Sequence, residues 1–110
     1  MSNTDRIQKI NEALQHIRIS NRSGSHVNCL RIQNNCSVVH NDKIIELAKE
    51  FLRNHIPFVT EAIFKNNSRC DILLPATFEI IEILHSETDE RFSKKIKNYP
   101  DVFTIRKVRI

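Results

Sequence analysis

The apolar positions of this chain follow two periods, and the change from one to the other marks its elements. Ile7, Ile10, Leu14 and Ile17 have a 3-4-3 spacing, the stripe of a helix that opens at Asn3 or Thr4 and runs to about residue 18. A polar loop over 20–25 follows and holds the only glycine, Gly24. Residues 27–32 and 37–39 read as two short extended pieces about Gln33, Asn34 and Asn35. A second helix opens at His40 or Asn41 and runs to about residue 54. Ile44, Leu47, Ala48, Phe51 and Leu52 form its buried side, and Pro57 lies just beyond its end. The period then shortens. Residues 58–64, 69–74 and 78–84 predict three strands, separated by turn signals at 65–68 and 75–77. Ser86 and Asp89 are spaced as a capping box for a third helix over about 88–98. Phe92, Ile96 and Tyr99 line its inner side and Pro100 stops it. A last strand is expected over 102–108.

From residue 38 onward the order is therefore α-β-β-β-α-β. A meander followed by a helical crossover brings the fourth strand back parallel to a neighbour. The expected fold is α/β (α+β), helices on a mixed sheet, with residues 1–37 as an N-terminal helix and loop extension to a core over 38–110. A length of 110 residues suits one domain with a single core. Apolar content of 40% and charged content of 27% are ordinary for a soluble protein. There is no run of 18 apolar residues and no secretory pattern, so no membrane partner is expected and the location is expected to be cytoplasmic.

Cys29, Cys36 and Cys70 are odd in number, lack C-x-x-C spacing and read as reduced thiols. With His26 and His40 they offer zinc-binding residue types, but H-x2-C-x6-C-x3-H is no established zinc spacing, and buried free thiols are common core residues. Net charge is +4, and its distribution says more. Residues 91–110 hold Arg91, Lys94, Lys95, Lys97, Arg106, Lys107 and Arg109 against Asp101. A basic C-terminal fifth suits a polyanion, and a solvated basic face is the alternative.

The candidate chemistry lies in the three central strands, where Glu61, Asp71 and Glu82 stand in apolar company. Strand side chains alternate between faces, so loop length fixes which residues meet. If Ala76-Thr77 is a two-residue loop, Pro75 pairs with Phe78 and Asp71 lies opposite Glu82. A three-residue loop over 65–67 would likewise put Glu61 opposite Asp71, and a two-residue loop would turn it to the other face. Like charges facing each other destabilise a sheet, so two close carboxylates share a proton or hold a cation. Oxygen ligands of this kind suit Mg²⁺ or Mn²⁺.

These residues, in this order, resemble the PD-(D/E)XK nuclease superfamily, which includes restriction endonucleases, archaeal Holliday junction resolvases and the nuclease domains of competence-associated proteins. The resemblance covers about residues 38–108. It rests on a helix opening near His40, Glu61 in the first strand, an R-x-D of Arg69 and Asp71 in the second, and an E-x-x-x-S of Glu82 and Ser86 closing the third. It implies a restriction-endonuclease-like core and a metal-dependent endonuclease that hydrolyses DNA phosphodiester bonds, in repair, recombination, restriction or viral genome processing. Asp71, Glu82 and the Ile83 carbonyl would then bind Mg²⁺ or Mn²⁺, supported by Glu61 or by a helix carboxylate such as Glu46.

The lysine of the family motif is replaced by Leu84, and its proline by Cys70. Lys95, or failing that Lys94, would supply the amine from the next helix. Arg22, Arg69, Lys94 and Lys97 are the expected nucleic-acid contacts. If neither lysine reaches the site, the expectation becomes a catalytically silent module of the same fold that binds nucleic acid or a protein partner. DNA is the expected partner. The apolar stripe of the first helix suits either its own sheet or a homodimer contact, a two-fold arrangement that would bring one site to each strand of a duplex.

Overall fold

A computed structural model describes residues 2–18, 27–32 and 36–110. Its elements in chain order are α1 (Asn3–Leu14), α2 (Val38–Arg53), β1 (Val59–Ile63), β2 (Arg69–Leu74), β3 (Glu79–Leu84), α3 (Asp89–Ile96) and β4 (Thr104–Arg109). The strands form one sheet in the order β1-β2-β3-β4. The first two pairings are antiparallel, and β4 returns parallel to β3. The chain is thus a mixed α+β fold built on a meander and one helical crossover, as the alternation of apolar periods predicts. No helix among the described residues is long and apolar enough to cross a membrane. The loop over 20–25 with Arg22, and His26 and residues 33–35, lie outside the described residues.

Element ends depart from expectation where a side chain or the sheet intervenes. Ser37 caps α2 by accepting the His40 N–H, so Val38 and Val39 enter the first helical turn instead of an extended piece. The other end of α2 closes through Ile56 N–H to Phe51 O and His55 N–H to Leu52 O, with His55 at φ 56. Thr88, not Ser86, caps α3 by accepting the Arg91 N–H. The first helix stops at Leu14 because the sheet takes over. Ile17 bridges Phe64, and Arg18 N–H donates to Ile63 O. Residues 27–32 form no strand. They lie along the start of β1, held by Asn28 N–H to Phe58 O, Phe58 N–H to Asn28 Oδ1 and Thr60 Oγ1 to Cys29 O.

Two apolar clusters sandwich the sheet. On one side Ala13, Leu14 and Ile17 pack with Val59, Phe64, Leu73, Ile80, Tyr99 and Phe103. On the other, Ala48 and Phe51 of α2 pack with Phe58, Ile72, Leu74 and Ile81. The stripe of α1 is therefore covered by its own chain. Leu14 and Ile17 are buried, Ile10 packs on the same cluster, and Ile7 alone stays largely exposed, at 59%. The apolar stripe gives no reason to invoke a second copy.

Candidate active site

The two hairpins set the site. Phe64 N–H donates to Ser68 O, which leaves a three-residue loop over 65–67, with Asn67 at φ 72 in the left-handed region. Thr60 pairs with Ile72 and Ala62 with Cys70, so Glu61 falls opposite Asp71. In the second hairpin Ile72 pairs with Ile81 and Leu74 with Glu79; one step further along that register, Asp71 meets Glu82. Three carboxylates thus line up across three strands.

The sheet bends around them. Glu61 has φ 52, a left-handed conformation that costs a non-glycine residue about 1 kcal/mol. Face alternation slips at the same point, since Val59 and Ala62 share one cluster, as do Leu73 and Cys70. The carboxylates also stand in for backbone partners. Glu82 Oε2 accepts the Asp71 N–H at 2.9 Å, and Asp71 Oδ2 accepts the Ile83 N–H at 2.7 Å.

Helices supply the cations. His40 lies four and eight residues before the buried Ile44 and Ala48 of α2, so it falls on the same stripe and turns toward the sheet. Its Nε2 is 3.3 Å from Asp71 Oδ1. Lys95, three residues after the buried Phe92 of α3, brings its Nζ to 3.0 Å from Glu82 Oε1. Tyr99, just past α3, donates its hydroxyl to the same Glu82 oxygen and lies 2.8 Å from the Arg69 carbonyl. Tyr99 was not among the expected site residues, and His40 figured there only as a zinc-ligand type, not as a partner of Asp71. Their signals were an imidazole at helical spacing from Ile44 and a single phenol on an apolar stripe.

Charge in this cluster is unevenly shared. Burial works against the Asp71 charge, but hydrogen bonds from His40 and the Ile83 N–H, with Lys95 nearby, outweigh it and hold its pKa below the usual range. Burial, with the Asp71 charge beside it, pushes Glu82 up to about 7 despite Lys95 and Tyr99. Burial and Asp71 likewise raise Glu61 to about 7. The hydrogen bond to Asp71 raises His40. Burial disfavours the Lys95 charge, yet Glu82 and Asp71 raise its pKa above the ordinary value.

Two cavities flank this cluster. One, of about 360 Å³, is lined by Glu61, Arg69, Asp71, Lys95 and Tyr99. The other, of about 310 Å³, is lined by Ser37, His40, Asp71, Ile83, His85 and Lys95. Asp71 and Lys95 belong to both walls. A larger groove, of about 630 Å³, lies between α1 and Phe78 and has no buried carboxylate in its wall.

Other expected participants lie elsewhere. Glu46 pairs with Lys43 at 3.3 Å, and Lys94 pairs with Glu90 on the exposed face of α3. Lys97 is exposed beyond the end of α3. Much of the basic C-terminal charge is already matched, with Arg106 against Glu79, Arg109 against Asp89 and Lys107 over the Phe92 ring. Cys29 is exposed, Cys36 half-buried beside both cavities and Cys70 fully buried, all as thiols. Comparison with protein-family models, with curated proteins and with solved structures returns no match.

Proposed function

We propose that the chain is a metal-dependent endonuclease acting on DNA, with its site at Glu61, Asp71, Glu82 and Lys95. The observation that carries this reading is the 3.0 Å contact from Lys95 to Glu82. The amine that Leu84 cannot provide arrives from α3, beside a carboxylate pair that spans β2 and β3. The element order and the parallel return of β4 agree with the restriction-endonuclease-like core that the resemblance implies.

The donor chemistry fits a hard divalent cation. Glu61, Asp71 and Glu82 offer carboxylate oxygens, donors suited to Mg²⁺ or Mn²⁺, while the His40 imidazole is engaged with Asp71. Glu61 Oε1 is buried with no hydrogen-bond partner among the described residues, and a cation would satisfy it. Asp71, Glu61 and the Ile83 carbonyl would hold the ion, and Glu82 would join them by giving up one of its present hydrogen bonds. When bound, it would supply Lewis-acid stabilisation of charge building on the phosphoryl oxygens.

The rest falls to the chain itself. Asp71, kept ionised by His40 and the Ile83 N–H, is the fixed negative charge of the site. Lys95, in the wall of both cavities, faces an incoming phosphodiester and can orient a water or take up charge on a phosphoryl oxygen. Arg69, in the wall of the first cavity, suits a flanking phosphate. A nucleic-acid strand would pass from one cavity to the other across Asp71 and Lys95. Dimerisation is no part of this reading, because α1 is covered within its own chain.

One observation favours a second reading. Among the described residues no three His, Cys, Asp or Glu side chains converge as a metal site, and both Glu82 oxygens already accept protein hydrogen bonds. A module of the same fold that binds nucleic acid without cutting it fits that arrangement. Incubation with supercoiled plasmid, single-stranded and branched DNA separates the two. Cleavage that requires Mg²⁺ or Mn²⁺ and stops with chelator supports the endonuclease. Binding without cleavage of any form selects the silent module.

A further inference from the structure

We infer that Tyr99 is a positioning residue that acts through Glu82 to fix the ammonium of Lys95 at the cavity wall. The catalytic meaning of this rests on the endonuclease reading; the positioning itself does not. Tyr99 is the only tyrosine in the chain. Its ring is anchored in the core, 5.5 Å from Phe64 between centroids, while its hydroxyl reaches the polar cluster. Glu82 receives that hydroxyl and the Lys95 ammonium on Oε1, and the Asp71 N–H on Oε2. Glu82 is only 1% exposed and lines neither cavity, whereas Lys95 lines both. Glu82 is therefore the buried link between a hydroxyl rooted in the core and an ammonium presented to the cavities.

The link matters because of side-chain freedom. Lysine carries its charge on a flexible four-carbon stem and samples many rotamers unless something holds it. A carboxylate can hold it in one place only if its own rotamer is fixed. The Asp71 N–H pins one Glu82 oxygen, and the Tyr99 hydroxyl pins the other. Without that hydroxyl Oε1 keeps only the flexible Lys95 ammonium, so the carboxylate can swing about the Asp71 N–H and carry Lys95 with it. The ring places the oxygen in the core, and the oxygen alone makes the contact with Glu82.

Tyr99→Phe keeps the ring and removes the oxygen. Nitrogen-15 NMR of the lysine ammonium groups reads the outcome directly, with the Lys95 signal identified by its loss in Lys95→Ala. In the wild type this signal is expected to be distinct and slow to exchange. In Tyr99→Phe it should merge with the solvent-exposed lysines while the backbone amide spectrum keeps the folded pattern. In the metal-dependent cleavage assay kcat should fall about 10- to 100-fold, the usual effect of losing an outer partner of a site residue, with KM for DNA nearly unchanged. Glu82→Gln tests the middle of the chain with Tyr99 intact, and it should free the Lys95 signal in the same way. A Lys95 signal that stays distinct in either variant overturns the inference, as does a wild-type signal already averaged with the other lysines. The NMR measurement needs neither metal nor DNA. A wild type that cuts nothing therefore defeats the endonuclease reading and leaves this inference to the spectra.

Discussion

The two ends of β3 carry the same residue type in opposite surroundings. Glu79, beside the hairpin, has a side chain 28% exposed and faces Arg106 of β4 at 3.8 Å. Three residues on, Glu82 is buried under Lys95, Tyr99 and the Asp71 N–H. Both belong to one continuous pairing with β4, opposite Thr104 and Lys107. Three residues apart, they point to opposite faces of the sheet, and the faces differ in cover at these points. The first turn of α2 and the end of α3 close over the Glu82 end, and Glu79 keeps its access to water. An exposed cross-strand ion pair contributes little, whereas a buried carboxylate costs stability unless every oxygen is satisfied. Glu82 meets that condition, and Glu61, whose Oε1 has no hydrogen-bond partner among the described residues, does not. Glu61 on β1, opposite Asp71, is the carboxylate suited to receive a ligand.

The largest effect that would test this contrast is on stability. Glu82→Ala strands Lys95, Tyr99 and the Asp71 N–H together and is expected to cost about 3 kcal/mol. Glu79→Ala is expected to cost about 0.5 kcal/mol. Urea unfolding of both variants checks the ratio, and equal costs would erase the distinction between the two ends. Activity should divide the same way. Lys95→Ala is expected to lower metal-dependent cleavage by about 100-fold, on the scale of one lost transition-state contact. Arg106→Ala, at the other end, is expected to leave the cleavage rate within about 2-fold, as an exposed pair implies. Single-turnover assays on the same DNA decide it.

The remaining effect is in pH. Glu61 and Glu82 have folded pKa values raised from 4.5 to about 7. Their contribution to stability is complete below 4.5 and is lost as pH rises through about 7. His40, also raised, acts in the same sense. Asp71, lowered from 3.8, acts only in more acid solution. Without metal, the thermal midpoint should therefore fall between pH 5 and pH 8, and Glu61→Gln should flatten that slope. A midpoint that rises over this range would contradict the assignment.

The legible parts of this molecule were those fixed by local rules. Pro75-Ala76-Thr77 leaves little slack, so the Asp71 and Glu82 register followed from counting. Glu61 depended on whether its loop held two residues or three, which Lys65-Asn66-Asn67 alone does not decide. Lys95 could be placed because Phe92 fixes the inner side of α3. His40 and Tyr99 escaped because their roles depend on tertiary approach, α2 onto β2 and the end of α3 onto β3. Competing side-chain acceptors moved the helix starts, Ser37 for α2 and Thr88 for α3, and a strand bridge at Ile17 cut α1 short. The pairing of the basic C-terminal segment was hidden for a related reason. Its partners Glu79, Asp89 and Glu90 are distributed along the chain, and only folding brings some of them alongside.

Whether the cluster is a metal centre can be asked without knowing any substrate. Titration of the purified protein with Mn²⁺, followed by electron paramagnetic resonance, counts bound ions directly. The endonuclease reading predicts one specific Mn²⁺ per chain in the wild type and its loss in Asp71→Asn, with the fold retained. Absence of specific Mn²⁺ binding by the wild type, or equal binding by Asp71→Asn, would contradict it.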